Sequence, residues 1–213
     1  MELAPSRPRS GRLFVIAAPS GAGKTSLVRA LMQREPGLRF SISYTTRPRR
    51  AAELDGRDYH FVASEEFAAM VARGEFLEHA SVFDNRYGTA RRQVEASLAA
   101  GQDLILEIDW QGARQIRAAL PQCVSIFILP PSRAELERRL RDRNTDAEDV
   151  IQRRLRDAAS DMTHWQEFDH VVVNDEFERA LDDLQGIVAG DGSGTRRDRA
   201  GLAELAAALT AQG

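Results

Sequence analysis

Of the 29 basic side chains in this 213-residue chain, 28 are arginine and one is lysine. That lysine, Lys24, sits in the stretch Ala18-Pro19-Ser20-Gly21-Ala22-Gly23-Lys24-Thr25. An ammonium group is a compact point charge on a thin stem, whereas a guanidinium is a planar fork, so a lone lysine in an arginine-rich chain marks a narrow pocket. The stretch reads as a P-loop. Its glycine-rich turn would aim backbone N–H groups at phosphate oxygens, the lysine would reach the outer phosphates of a nucleotide, and Thr25 would offer its hydroxyl to Mg²⁺. The first position, usually glycine in such loops, is Ala18, and Pro19 stiffens the next step. An ordinary glycine-rich turn between strand and helix is the alternative reading.

Other residues could serve the same chemistry. Glu107 and Asp109 lie at the end of an apolar run, Leu104 to Ile108, where carboxylates are costly unless they engage a metal shell, water or a nucleotide. Trp110 follows and could pack or act. After Pro130-Pro131, Ser132 with Glu135 and Thr145 with Glu148 form two capping-box patterns, predicting two helices joined by a short turn. Arg139 and Arg143 share one face of the first helix, and the second carries Arg153 and Arg154. Guanidinium groups on such a hairpin could close over phosphates as a lid, or could form a solvated face.

The elements that must position these residues are legible from the pattern. Leu13 to Ala17, Leu104 to Ile108, Val124 to Leu129 and Val171 to Val173 are short apolar runs separated by segments of helical character. This alternation predicts a parallel sheet flanked by helices, with ligands at the carboxyl ends of the strands. Residues 43–90 change character and read as a small β-rich lobe, with strand-like alternation over Gly74 to Tyr87 and Ser64 capping a short helix whose first turn holds Glu65 and Glu66. A single cysteine, Cys123, excludes an internal disulfide. The formal net charge of -3 argues against a broad nucleic-acid footprint. No apolar run approaches membrane-spanning length, and the start lacks a secretory core, so a cytoplasmic enzyme is expected.

Further stretches connect these pieces: Ser43-Tyr44-Thr45-Thr46-Arg47-Pro48-Arg49-Arg50, Glu53-Leu54-Asp55-Gly56-Arg57-Asp58-Tyr59, Gly74-Glu75-Phe76-Leu77-Glu78, Tyr87-Gly88-Thr89, Glu107-Ile108-Asp109-Trp110-Gln111-Gly112 and Val173-Asn174-Asp175. With the loop, they resemble the guanylate kinase family, bacterial type, over about residues 12–188. The resemblance implies a P-loop NTPase-type α/β core (residues 12–42 and 91–189), a GMP-binding lobe (43–90) and a helical lid (132–158). It also implies transfer of the γ-phosphate of ATP to GMP, with Mg²⁺, in purine nucleotide metabolism.

The same resemblance assigns roles. The loop from Ala18 to Thr25, with Arg139, Asn174 and Asp175, would bind ATP. Thr25 and Asp109 would organise the metal. Ser43, Arg47, Arg50, Glu53, Tyr59, Glu78, Tyr87, Thr89, Glu107 and Asp109 would bind GMP, with Glu78 reading the guanine edge. Lys24, Arg50, Arg143 and Arg154 would act on the transferring phosphoryl. Without the resemblance, Glu78 reads as an exposed strand-end glutamate, and Asn174-Asp175 as a common strand-to-helix turn.

Two other readings stay open. A protein-binding module on the same fold would commonly lack a working loop, and a sugar-phosphate kinase would not be expected to combine Glu78 with the Glu107-to-Gly112 stretch. The expected partners are the small molecules GMP and ATP, not nucleic acid or membrane; the oligomeric state is undetermined. Outside the match, Met1 to Gly11 reads as disordered, and residues 190–213 read as a flexible linker followed by a short helix that begins near Leu202.

Overall fold

The computed structural model describes residues 10–82, 84–142 and 148–211. Strand β1 (Leu13–Ala17) is buried along its whole length, which suits a strand covered on both faces. The loop then leads into α1 (Lys24–Arg34), and β2 (Leu38–Phe40) follows. The middle of the chain contributes β3 (Tyr44–Thr45), β4 (His60–Phe61), α2 (Ser64–Ala72), β5 (Phe76–Val82), β6 (Asn85–Ala90) and α3 (Arg91–Ala99). Then come β7 (Asp103–Glu107), α4 (Trp110–Ala119), β8 (Val124–Leu129), α5 (Arg133–Arg141), α6 (Glu148–Met162), β9 (His170–Val173), α7 (Phe177–Ala189) and α8 (Leu202–Thr210).

Among the described residues the larger sheet has five strands in the order β2-β7-β1-β8-β9, and the pairs β2–β7, β1–β8 and β8–β9 run parallel. The smaller sheet has the order β4-β3-β6-β5. By contact, the chain forms two compact units. One holds the residues up to Leu13, Gly37–Leu106 and Gln115–Cys123; the other holds Phe14–Pro36, Glu107–Arg114 and everything from Val124 on.

In the first unit, Phe67 of α2 stacks on Phe76 of β5 with ring centroids 4.7 Å apart, and Met70 completes this small core. Full burial of such a side chain stabilises by roughly 1.5–3 kcal/mol, enough to fix α2 against the hairpin formed by β5 and β6. Asp84, just before β6, has φ 65°. The alternation expected over Gly74 to Tyr87 is thus two strands rather than one. Helix α2 starts one residue early: Ala63 is the N-cap and Ser64 lies inside the first turn, without a capping bond. Glu65 and Glu66 remain in that turn, where the exposed N–H groups favour anions.

In the second unit, Phe14, Phe127 and Phe168 are fully buried. The Ser132 cap is present, its Oγ accepting from Glu135 N at 3.1 Å, but the reciprocal half of the box is not made because Glu135 turns to Arg138 and Arg139. Thr145 and Asn144 lie outside the described residues, as do residues 1–9. Ser10 and Gly11 are held: Gly11 N donates to Leu98 O at 2.8 Å.

The segment after Ala189 is more ordered than its composition suggests. Residues Ser193–Thr195 form a 3-10 turn, Arg196 bridges to His170 on β9, and Arg197 and Arg199 donate to main-chain carbonyls of Gln166 and Val171. Arginine forks satisfy carbonyls beside the end strand, which a glycine-rich composition does not advertise. Helix α8 buries Leu202, Ala206 and Leu209 and packs on α6.

Thr195 Oγ donates its one proton to Gly192 O (2.8 Å), so His170 Nδ1, 2.9 Å away, must be the donor in their contact. Burial, then the nearby charge of Arg196, lowers the His170 pKa below its ordinary 6.5. The folded protein therefore binds fewer protons than the unfolded chain as pH falls through about 6.5, and stability is lost in that direction. His170→Gln is expected to flatten the fall of melting temperature between about pH 7.5 and pH 5. An unchanged slope in thermal melts would show that another group controls it.

Candidate active site

The glycine-rich loop between β1 and α1 lies in the second unit. Gly21 and Gly23 have φ of 89° and 94°, a left-handed conformation that glycine adopts without strain. Packing adds a second requirement. A Cβ on Gly21 would sit 2.8 Å from Leu136 Cδ1 on α5, and one on Gly23 would collide with Asn174 Nδ2. Ala18 has no such need, since the only described non-glycine residue with positive φ is Asp84. The departure at the loop's first position is therefore accommodated in ordinary backbone geometry.

Two side chains far along the chain hold the loop's backbone. Asn174, buried to 4% exposure at the end of β9, donates from Nδ2 to Ala22 O at 2.7 Å. Arg139 donates to Asn174 O at 2.9 Å and reaches Ala22 O at 3.4 Å, while its Nε donates to Glu135 at 2.7 Å. The guanidinium groups of Arg138 and then Arg139 hold the Glu135 carboxyl down to about 2. Asp175 accepts from Glu176 N at 2.8 Å.

Lys24 Nζ donates to Ile108 O at 2.9 Å, and Thr25 Oγ donates to Glu107 Oε1. Asp109 caps α4 by accepting from Gly112 N at 2.7 Å. Among the described residues no group of three or more His, Cys, Asp or Glu is arranged as a metal cage. The donor set present, a hydroxyl with strand-end carboxylates, fits Mg²⁺ in the manner of nucleotide sites, where phosphates and water supply most ligands.

Arg154 is half-buried on α6 and Arg153 pairs with Asp157 at 3.8 Å; Arg143 lies outside the described residues. Near the base of α6, Trp110 Nε1 donates to Asp161 Oδ1 at 3.0 Å, and its ring stacks on His164 at 3.5 Å between centroids. Burial pushes the Asp161 carboxyl up to about 6, against the lowering effect of the Trp110 bond. Sequence reasoning left Trp110 undecided and passed over Asp161, because a carboxylate 51 positions away carries no local signal.

The remaining site residues lie in the first unit. Glu78, on β5, is 3% exposed, and Thr89 on β6 donates to its Oε1 at 2.6 Å. The register of the hairpin sets these two opposite each other, after a bulge between Phe76 and Glu78. The exposed glutamate that pattern alone suggests is thus buried.

Arg47 donates to Glu53 Oε1 at 2.7 Å and its guanidinium lies 5.4 Å from the Tyr59 ring centre. The other Glu53 oxygen accepts Arg50 N at 2.8 Å. Bonding to Arg47 first, then to the Arg50 amide, lowers the Glu53 pKa, and the pairing raises that of Arg47. Tyr59 and Tyr87 meet edge to face at 6.0 Å, and Ser43 O accepts His60 N at 2.9 Å.

Three residues of the quoted motifs to which sequence reasoning gave no role hold the backbone here. Thr45 Oγ accepts Arg47 N at 3.1 Å, Asp58 accepts Leu54 N at 2.8 Å, and Asp55 accepts Phe61 N at 2.8 Å. The Asp-Gly step at Asp55-Gly56 was the available turn signal.

The guanylate kinase family model matches residues 10–190. A guanylate kinase of Alkalilimnicola ehrlichii is 55% identical over 194 residues, covering 91% of this chain and 96% of the relative. One from Nitrosococcus oceani is 59% identical over 179 residues, covering 84% of this chain and 88% of that protein. The crystal structure of guanylate kinase from Anaplasma phagocytophilum is 33% identical, with a TM-score of 0.71 over 96% of this chain and 98% of that one. The loop held by Asn174 and Arg139, the Glu78–Thr89 pair and these matches over most of both lengths lead to one conclusion: this chain belongs to the guanylate kinase family.

Proposed function

We propose that this chain phosphorylates GMP at the expense of ATP, giving GDP and ADP, and accepts dGMP in the same pocket as part of cytoplasmic purine nucleotide metabolism. The observation that carries the reading is the presence in one chain of an intact phosphate loop and a buried carboxylate, Glu78, held by a hydroxyl. A binding module would have no use for the first, and a sugar-phosphate kinase none for the second.

Loop N–H groups and Lys24 hold the ATP phosphates, with Arg139 beside them and Asn174-Asp175 near the adenine. Lys24 would exchange the Ile108 carbonyl for phosphate oxygens, a stronger, charge-assisted bond. Thr25 and Asp109 would hold Mg²⁺, which would supply positive charge to offset that of the phosphates; Glu107 orients the Thr25 hydroxyl.

On the acceptor side, guanine presents donors at N1 and N2, which a carboxylate can accept together. Adenine would instead turn a ring-nitrogen lone pair toward Glu78. Thr89 fixes the carboxylate, and Ser43 and Tyr87 flank the nucleotide. Arg47, Arg50 and Tyr59 grip the GMP phosphate, with Glu53 holding the Arg47 fork and the Arg50 backbone in place.

A phosphate oxygen of GMP attacks the γ-phosphorus in line while the bond to the bridging oxygen breaks, and the electron pair leaves on ADP. Little covalent work falls to the protein. Lys24, Arg50, Arg143 and Arg154 neutralise the charge spread over the transferring group.

Lys24→Arg, though charge-conserving, is expected to lower kcat by at least about 10³-fold. Activity within about tenfold of the parent in a coupled ADP assay would contradict the loop's role. Glu78→Gln is expected to raise the KM for GMP by about 10²-fold or more while the KM for ATP stays within about twofold. An unchanged preference for GMP over AMP would remove Glu78 from base reading.

A further inference from the structure

Trp110 is held on more sides than packing requires. Its N–H is donated to Asp161, one ring face lies on His164 at an interplanar angle of 13°, and the Arg114 guanidinium lies 4.8 Å from the ring centre. Glu167 ties the last two together, accepting from Arg114 at 2.5 Å and meeting His164 Nδ1 at 2.7 Å. The two ends of this cluster are informative. Trp110 opens α4, directly after Asp109, which caps the same helix. Asp161 lies in the last turn of α6, and His164 sits in the turn that ends it, with its N–H on Asp161 O.

Helix geometry links this base to the far end of α6. Residues seven apart are separated by two turns, about 10 Å along the axis, and by only about 20° around it. Arg154 and Asp161 are seven apart, so they share one face. The apolar anchors of α6, Ile151, Ala158 and Met162, set how deeply the helix seats. Apolar contact is non-directional, however, and tolerates rotation about the helix axis. A hydrogen bond to an indole N–H does not.

We infer that Trp110 and Asp161, backed by His164, fix the rotation of α6 about its axis and thereby aim Arg154 at the transferring phosphoryl. Both are positioning residues that act through Arg154. The inference rests on the role given to Arg154 above.

The test compares Asp161→Ala, Asp161→Asn, Trp110→Phe, Arg154→Ala and the Arg154→Ala/Asp161→Ala double variant in the full chain, well below their melting temperatures. Asp161→Ala and Trp110→Phe are expected to lower kcat by about tenfold or more, with both KM values within about twofold, because only the transition state engages Arg154. Asp161→Asn retains an acceptor for the indole and is expected to stay within about threefold of the parent. The double variant is expected to be no slower than Arg154→Ala alone.

Parental kcat in Trp110→Phe, a loss in Asp161→Asn as deep as in Asp161→Ala, or additive losses in the double variant would overturn the pivot while leaving the kinase reading intact. Parental kcat in Arg154→Ala would remove the role of Arg154 and the pivot together. Absence of GMP-dependent turnover in the parent would instead remove the kinase reading itself. Should Asp161→Ala not fold, the contrast between Asp161→Asn and Trp110→Phe decides.

Discussion

The loop proposed to cradle the ATP phosphates depends on two left-handed residues, Gly21 and Gly23, and on what lies against them. Backbone N–H groups bind phosphate well only when they are aimed beforehand, because reorganising them on binding would consume the free energy that they supply. Leu136 fills the space where a side chain at position 21 would be, Asn174 the space at position 23, and Asn174 also bonds to the carbonyl between them. The loop's curvature is therefore imposed from outside by α5 and by the end of β9. Lys24 and Thr25 follow on the first turn of α1, where they meet the carbonyl and carboxylate at the end of β7.

The acceptor pocket meets a different constraint. Under the proposed function it would have to grip a dianionic phosphate with arginines and yet present a carboxylate to a neutral base. The chain separates the two needs by burial. Glu78 and Thr89 are enclosed in a hairpin whose register pairs them, whereas Arg47 and Arg50 lie on the segment leading from β3. Glu53 keeps that segment folded by bonding both to the Arg47 fork and to the Arg50 amide. A single glutamate thus orders both arginine positions to which the proposed function gives the GMP phosphate, at the cost of partly neutralising Arg47.

Legibility from sequence followed the range of each interaction. The loop, the buried strands and the Ser132 cap are written in neighbouring residues and read off directly. Ala63 in place of Ser64 as the cap of α2 is a one-residue shift of the kind that local propensity does not resolve. The partners of Ala22 lie 117 and 152 positions away, so no local pattern could name Arg139 or Asn174 as supports of the loop. Family resemblance pointed to both as nucleotide contacts, while the hydrogen bonds add the task of holding the cradle. The burial of Glu78 was equally hidden, because a glutamate in an alternating strand looks solvent-facing until the hairpin register is known. The tail after Ala189 misled for the opposite reason: its glycines suggest freedom, but Thr195 and three arginines fasten it to the region of β9.

The central claim is that one chain holds two nucleotides, with a loop that accepts the donor and a buried carboxylate that admits only guanine as acceptor. It is tested most directly by measuring ADP release from ATP and Mg²⁺ over a panel of GMP, AMP, CMP and UMP. The account predicts release that depends on GMP, with kcat/KM at least about 10²-fold above every other acceptor. Comparable turnover with AMP, or no release with GMP, would contradict it.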